Sequence, residues 1–276
     1  MVEKKTPVGK PADDFIRIQD LWSMFVPKWY WFAISLFITL TIAVLYLLST
    51  PPIYTRTAAI LVKDNSKSSS STGAMSDFSD LGIFKSNTNI NNELLTLKSP
   101  TLMTEVVNRL GLNETFTIRK GLKNVDLYKV SPVTITFCDK IEVPLSFTIK
   151  FSSKEAFAIS ELEISGEDIG ETLSAQMGDS IQTSAGIMIV SPTQEFTDAF
   201  IGTSIRYVRG SVRAAVDTYS NALVAELGNE DATIINLSIN DTSIRKAEDI
   251  LNTLIEVYNE NWIRDKNQIA VSTSQF

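Results

Sequence analysis

The chain is 276 residues long, 44% hydrophobic, and carries 25 basic against 32 acidic side chains. This is the composition of a folded polypeptide with room for one large domain or two small ones, far from that of a disordered chain. Having no histidine excludes Ser/His/Asp triads, Cys/His dyads and most zinc sites, and the single cysteine, Cys138, excludes an internal disulfide.

In chain order, residues 1–12, "MVEKKTPVGKPA", read as a disordered tail rich in Lys and Pro. Gly9-Lys10 lacks the upstream glycine of a phosphate loop. In "DDFIRIQDLWSMFVPKW", Phe15, Ile18, Trp22 and Phe25 form one helical stripe, with Asp13 or Asp14 available as N-cap. That stripe suits a helix lying along a membrane surface before Pro27, and equally one packing on a partner's segment. From Trp29 to Leu48 the chain runs 20 residues without a charge, which as a helix is about 30 Å long and matches a bilayer's hydrocarbon thickness. Trp29, Tyr30 and Trp31 stand at one end and Tyr46 near the other, where amphipathic rings favour the interface. "LLSTPPIY" has no small-x-small cleavage pattern, so an uncleaved anchor is expected.

Charge leaves the orientation open. Lys10, Arg17 and Lys28 precede the span, and Arg56, Lys63 and Lys67 follow it. Residues 49–276 hold 20 basic and 28 acidic side chains, a net of −8 that repels DNA, RNA and anionic lipid, so no nucleic-acid partner is expected.

Beyond the span, Pro51-Pro52 forces extended backbone and ends the helix. "IYTRTAAILVK" reads as a strand and "DNSKSSSSTGAMSD" as a slack loop. "NINNELLTLKSPTLMTEVVNRLGL" reads as a helical hairpin, with Ser99 as N-cap, Pro100 at the first helical position and Gly111 at the C-terminal cap. The middle is strand-rich: "PVTITF", "LSFTIKF", "AFAISELEI", "GIMIVSP" and "SIRYV" are β-branched or aromatic and bounded by turn residues. Cys138 is expected to pack as a small apolar side chain at the end of "VTITFC". "GSVRAAVDTY" predicts a short helix, "NALVAEL" and "ATIINLSIN" two more strands, and a last helix starts near Asp241 or Ser243. Its apolar residues Ile244, Ala247, Leu251, Leu254 and Tyr258 keep helical spacing, and no Gly or Pro closes the last turn. The expectation is an α+β body of residues 49–241 after a tail and juxtamembrane helix (1–28) and a span (29–48), followed by the start of a long helix, truncated at 276 (242–276).

No residue earns a catalytic, cofactor-binding or metal assignment, and no cofactor is expected. Five carboxylates crowd Glu161 to Glu171, "ELEISGEDIGE", without the alternating ligands and central glycine of an EF-hand, and a solvated strand and turn explains them better. Asp77 and Asp80 in "DFSD" read as loop polarity. Asn113, Asn236 and Asn240 begin glycosylation-type triplets that discriminate nothing without the host. Any chain with 32 acids contains some carboxylate pair, and nothing singles one out for glycoside hydrolysis.

"STPPIYTRTAAILVK", "NELLTLKSPTLMTEVVNRLGL" and "AEDILNTLIEVYNENWIRDKNQIAVSTSQF", in that order and spacing, resemble the Wzz-type chain-length determinant family of polysaccharide co-polymerases. "LYKVSPVTITF" and "GIMIVSP" are most similar to the subgroup joined to a cytoplasmic tyrosine autokinase, as in Wzc-like proteins of capsule and exopolysaccharide synthesis. The resemblance implies a bacterial inner-membrane protein with a cytoplasmic N-terminus and a periplasmic main domain. It implies a non-enzymatic scaffold that oligomerises with itself and works with the polysaccharide polymerase and export machinery, with glycan contact as an added option. It also implies a returning helix, a second span and a kinase beyond residue 276. Contact elements between copies would be the hairpin from Asn91 to Leu110, with Leu94 and Val106 as probes, and the long helix face. The alternative is a membrane-anchored sensor or an adaptor of a transport complex.

Overall fold

The computed structural model describes residues 28–62, 83–138, 143–228 and 234–274. The stripe from Phe15 to Phe25, the serine-rich loop and Asp77–Asp80 lie outside them. The chain divides into two compact units, Met1–Thr50 and Pro51–Phe276.

The described part of the first unit is helix α1, Trp29–Ser49, with no buried residue. Its length and apolarity suffice to cross a membrane. Two of its polar side chains are satisfied from within: Thr39 and Thr41 donate Oγ1 hydrogen bonds of 2.8 Å to the carbonyls of Ser35 and Phe37. The helix stops because Thr50 precedes Pro51 and takes extended backbone, ψ 124°.

The second unit is mixed α and β. Its elements are β1 (Tyr54–Leu61), α2 (Ile83–Leu97), α3 (Pro100–Leu110), β2 (Glu114–Lys120), β3 (Lys123–Asp126), β4 (Val133–Phe137), β5 (Leu145–Phe151), β6 (Ala156–Ile164), β7 (Glu167–Asp168), β8 (Leu173–Gln176), β9 (Ser180–Thr183), β10 (Gly186–Pro192), β11 (Ser204–Arg209), α4 (Val212–Ala222), β12 (Leu223–Leu227), β13 (Ile234–Asp241) and α5 (Ile244–Ser274). They build two packed layers.

In the first layer the antiparallel sheet β1-β13-β12 carries helices on one face. Alternation on β13 turns Ile235, Leu237 and Ile239 inward, opposite Ile60, Ala58 and Arg56 of β1. Arg56 is thereby directed to Glu248 of α5, at 3.1 Å. Helix α3 begins on Ser99, whose Oγ accepts from the Thr101 amide, and ends on Gly111 at φ 62°. The Leu112 amide then reaches back 3.0 Å to the Val107 carbonyl, closing the last turn. Both cap residues are as the sequence predicts, and α3 packs mainly on α4 and α5. Its apolar side chains Leu102, Met103, Val106 and Val107 enter the same core as Ala247, Ile250, Leu251, Leu254 and Val257 of α5. Buried area of this size in one cluster dominates the stability of the layer.

In the second layer the sheet β3-β2-β11-β5-β6-β7, with β8 on β6, packs on the sheet β4-β10-β9. Tyr207 of β11 lies between Phe116 of β2 and Phe147 of β5, its register partners, with ring centroids 4.9 and 5.0 Å away. On β6, Phe157 and Ile159 face inward, and so do Leu162 and Ile164 after a step of three. A bulge supplies the extra residue: pairing with β5 shifts register between Ser146 and Thr148, and Glu161 adopts φ 55°. Without it Glu161 would point into a core of phenylalanines.

Candidate functional site

Where the layers meet, Lys246 in the first turn of α5 is only 8% exposed. Its Nζ donates to Asp126 Oδ2 of β3 at 2.6 Å and lies 3.2 Å from Asp241 Oδ2 at the end of β13. Asp241 also accepts from the Ser243 amide, 2.7 Å, so one carboxylate both shapes the entry to α5 and neutralises its lysine. Burial pulls the ammonium pKa down, but Tyr219 and the carboxylates of Asp126 and Asp241 outweigh it and the net shift is upward. Burial pushes the phenols of Tyr128 and Tyr219 up; for Tyr128 the Asp249 carboxylate adds to it. Lys129 bridges to Asp249 at 2.7 Å.

Beside this cluster is a cavity of about 290 Å³. The turn after α3, the start of β2, the loop after β3, β4, the loop after β10, Tyr219 and Lys246 wall it. Phe116, Tyr128 and Tyr219 give it aromatic surface, and Thr115, Ser131, Thr134 and Thr193 give it hydroxyls. Such a mixture is what small-molecule pockets use to combine burial with orientation.

Two open faces complete the body. On β1-β13-β12 the outward columns are Thr55 with Asn240, Thr57 with Ser238 and Val224, Ala59 with Asn236 and Glu226, and Leu61 with Ile234. The middle columns, Thr57 with Ser238 and Val224 and Ala59 with Asn236 and Glu226, floor a groove of about 560 Å³. On the larger sheet, Arg206 reaches Glu163 at 3.0 Å and Ser146 at 3.1 Å, and Thr148 donates to Glu161 at 2.8 Å.

The acidic run from Glu161 to Glu171 therefore begins as partners of Arg206, Ser146 and Thr148. Among the described residues no group of three or more Cys, Asp or Glu is placed to hold a metal. Cys138 departs from expectation: it is exposed. Val133 and Ile135 take the inward parity of β4, and Cys138 falls with Thr134 and Thr136 on the other. Of the proposed contact probes, Val106 is fully buried and Leu94 packs partly against the same core. Asn236 and Asn240 are exposed on the small sheet, and Asn240 accepts from Thr55 Oγ1 at 2.6 Å. Sequence reading missed the Lys246 cluster. Its one local signal was a lysine placed four residues before Ile250 and eight before Leu254, on the buried side of the helix.

Among the described residues, one helix long and apolar enough to cross a membrane precedes a mixed body of helices and strands, which makes the class α+β with a candidate span. Residues 14–110 match the family model described as Wzz, chain length determinant protein. The match takes in α1, β1, α2 and α3, and over that N-terminal stretch the chain is similar to the chain length determinant family. No curated protein matches the chain.

Proposed function

We propose that the chain is a non-enzymatic co-polymerase scaffold that self-associates in a bacterial inner membrane and sets the length or export of a capsular or exopolysaccharide. The Wzz match over the anchor and the first three elements of the body carries this reading. The N-terminus is cytoplasmic and the body periplasmic, with the polymerase and export machinery as partners. An anchor confines copies to two dimensions and raises their effective concentration, so modest lateral contacts suffice for assembly. The outward columns of β1-β13-β12 suit such contacts better than α3, whose Leu102, Met103, Val106 and Val107 are already buried in the core. On this reading a Wzc-like parent carries a tyrosine autokinase after residue 276, and the bases downstream of that codon will read a second span and a phosphate-binding loop.

Deleting the gene and sizing the surface glycan by gel electrophoresis tests the role. A shifted or lost length distribution, restored by the wild-type gene, is expected. An unchanged ladder, or unchanged glycan with altered transcription, would overturn it.

A further inference from the structure

We propose that the cavity between the two layers binds one uncharged sugar ring, an inference that rests on the chain-length reading above and gives it a ligand-contact point. Size comes first. At ~30 Å³ per water the cavity of about 290 Å³ has the room of roughly ten waters, enough for a single hexose-sized ring and some solvent but not for an oligosaccharide.

Charge comes second. Every cation on the wall is already engaged: Lys246 with Asp126 and Asp241, and Lys129 with Asp249. Glu114 is held by Arg209 at 3.6 Å. An anionic ligand would find no uncommitted positive charge, and would meet Asp126 and Glu195 as well. Phosphates and nucleotides are therefore poor occupants. A polyol needs no net charge, only fixed donors and acceptors, and engaged carboxylates keep spare lone pairs for its hydroxyls.

Third, a sugar ring has apolar C–H faces and a hydroxyl edge. The wall offers both complements: aromatic surface from Phe116, Tyr128 and Tyr219, the hydroxyls of Thr115 and Thr134, and the oxygens of Ser131 and Thr193, which donate to the carbonyls of Val133 and Ser131 and keep a lone pair for a ligand hydroxyl.

The test uses the full chain in detergent micelles and saturation-transfer NMR with glucose, galactose and N-acetylglucosamine, and with glucuronate and inorganic phosphate as charged probes. Saturable binding of at least one uncharged sugar is expected, with glucuronate about ten-fold weaker. Thr134→Trp, on an exposed position of β4, fills the cavity mouth and should weaken binding by about ten-fold or more. Thr136→Trp, the next outward position on the same strand and outside the cavity wall, should not. No transfer to any uncharged sugar from a folded chain, equal binding by Thr134→Trp, or tighter binding of glucuronate or phosphate would each overturn the proposal. Glycan sizing in cells answers to the co-polymerase role and sugar binding by the purified chain answers to the cavity, so either can fail alone.

Discussion

At the scale of single residues, two positions with similar backbone carry opposite costs. Gly111 ends α3 at φ 62° and Glu161 makes the bulge of β6 at φ 55°. Only glycine enters that region without steric cost, so a side chain there costs on the order of 1 kcal/mol or more. A Cβ at Gly111 would touch nothing within 4 Å, so Gly111→Ala isolates the backbone term. It should lower stability by about 1 kcal/mol, read by thermal unfolding in detergent. Glu161→Gly should do the reverse. It loses a contact with Arg206 at 3.8 Å between side chains 66% and 43% exposed, and exposed pairs are worth ~0–1 kcal/mol. The glycine should therefore raise the unfolding midpoint or leave it level. A clear fall would mean that the hydrogen bond from Thr148 pins the bulge more firmly than the ion pair suggests.

Helix α5 shows, at the scale of elements, what local pattern can and cannot specify. Its first half drives Ala247, Leu251, Leu254 and Tyr258 into the core, and Ile263, one turn further on, is 53% exposed. Leu254→Ala should cost about 2–5 kcal/mol by leaving a cavity. Ile263→Ala should stay within about 0.5 kcal/mol. Equal losses would mean that both halves of the helix are buried alike in solution. The stripe, the caps Ser99 and Gly111 and the β-branched strands were legible because each is written within a few neighbouring residues. The strands β2 and β3 were passed over because "ETFTIRKGLKNVD" mixes charges into a half-exposed hairpin, and tertiary pairing with β11 supplies what propensity lacks. The bulge was present as a slip from two to three in the spacing of Ile159 and Leu162, a signal visible once looked for. The Lys246–Asp126 pair was not legible, since its partners are 120 residues apart and nothing local ties them. The cavity inherits that difficulty, its wall being drawn from seven separate segments.

For the whole body, the buried titratable groups share one direction. Burial raises the phenols of Tyr207 in the sandwich, Tyr258 in the helical core, and Tyr128 and Tyr219 at the cavity. Lys246 is also raised, because its partners outweigh burial. For each, a folded pKa above the unfolded value means stability fully present below the unfolded pKa and lost as pH rises through the folded one. The unfolded values are 10.0 for the phenols and 10.5 for the ammonium. Glu260 is shifted the other way, its carboxylate held down by the hydrogen bond from Arg109. Its contribution is present above 4.5 and fades as acid protonates it, but the pair is exposed and screened, so the acid limb should be shallow. The thermal midpoint should therefore hold from neutrality to about pH 9 and then drop steeply from about pH 10. In the folded chain a fraction of the near-ultraviolet phenolate signal should appear late, and unfolding at fixed alkaline pH should release it at once. Lys246→Met separates the contributors: with two buried carboxylates left unpaired it should lose about 3–5 kcal/mol at neutral pH. It should still show the alkaline drop, because the four phenols remain. A phenolate signal rising in step with free tyrosine would mean that water reaches these rings, and that they are not buried in solution as the structure has them.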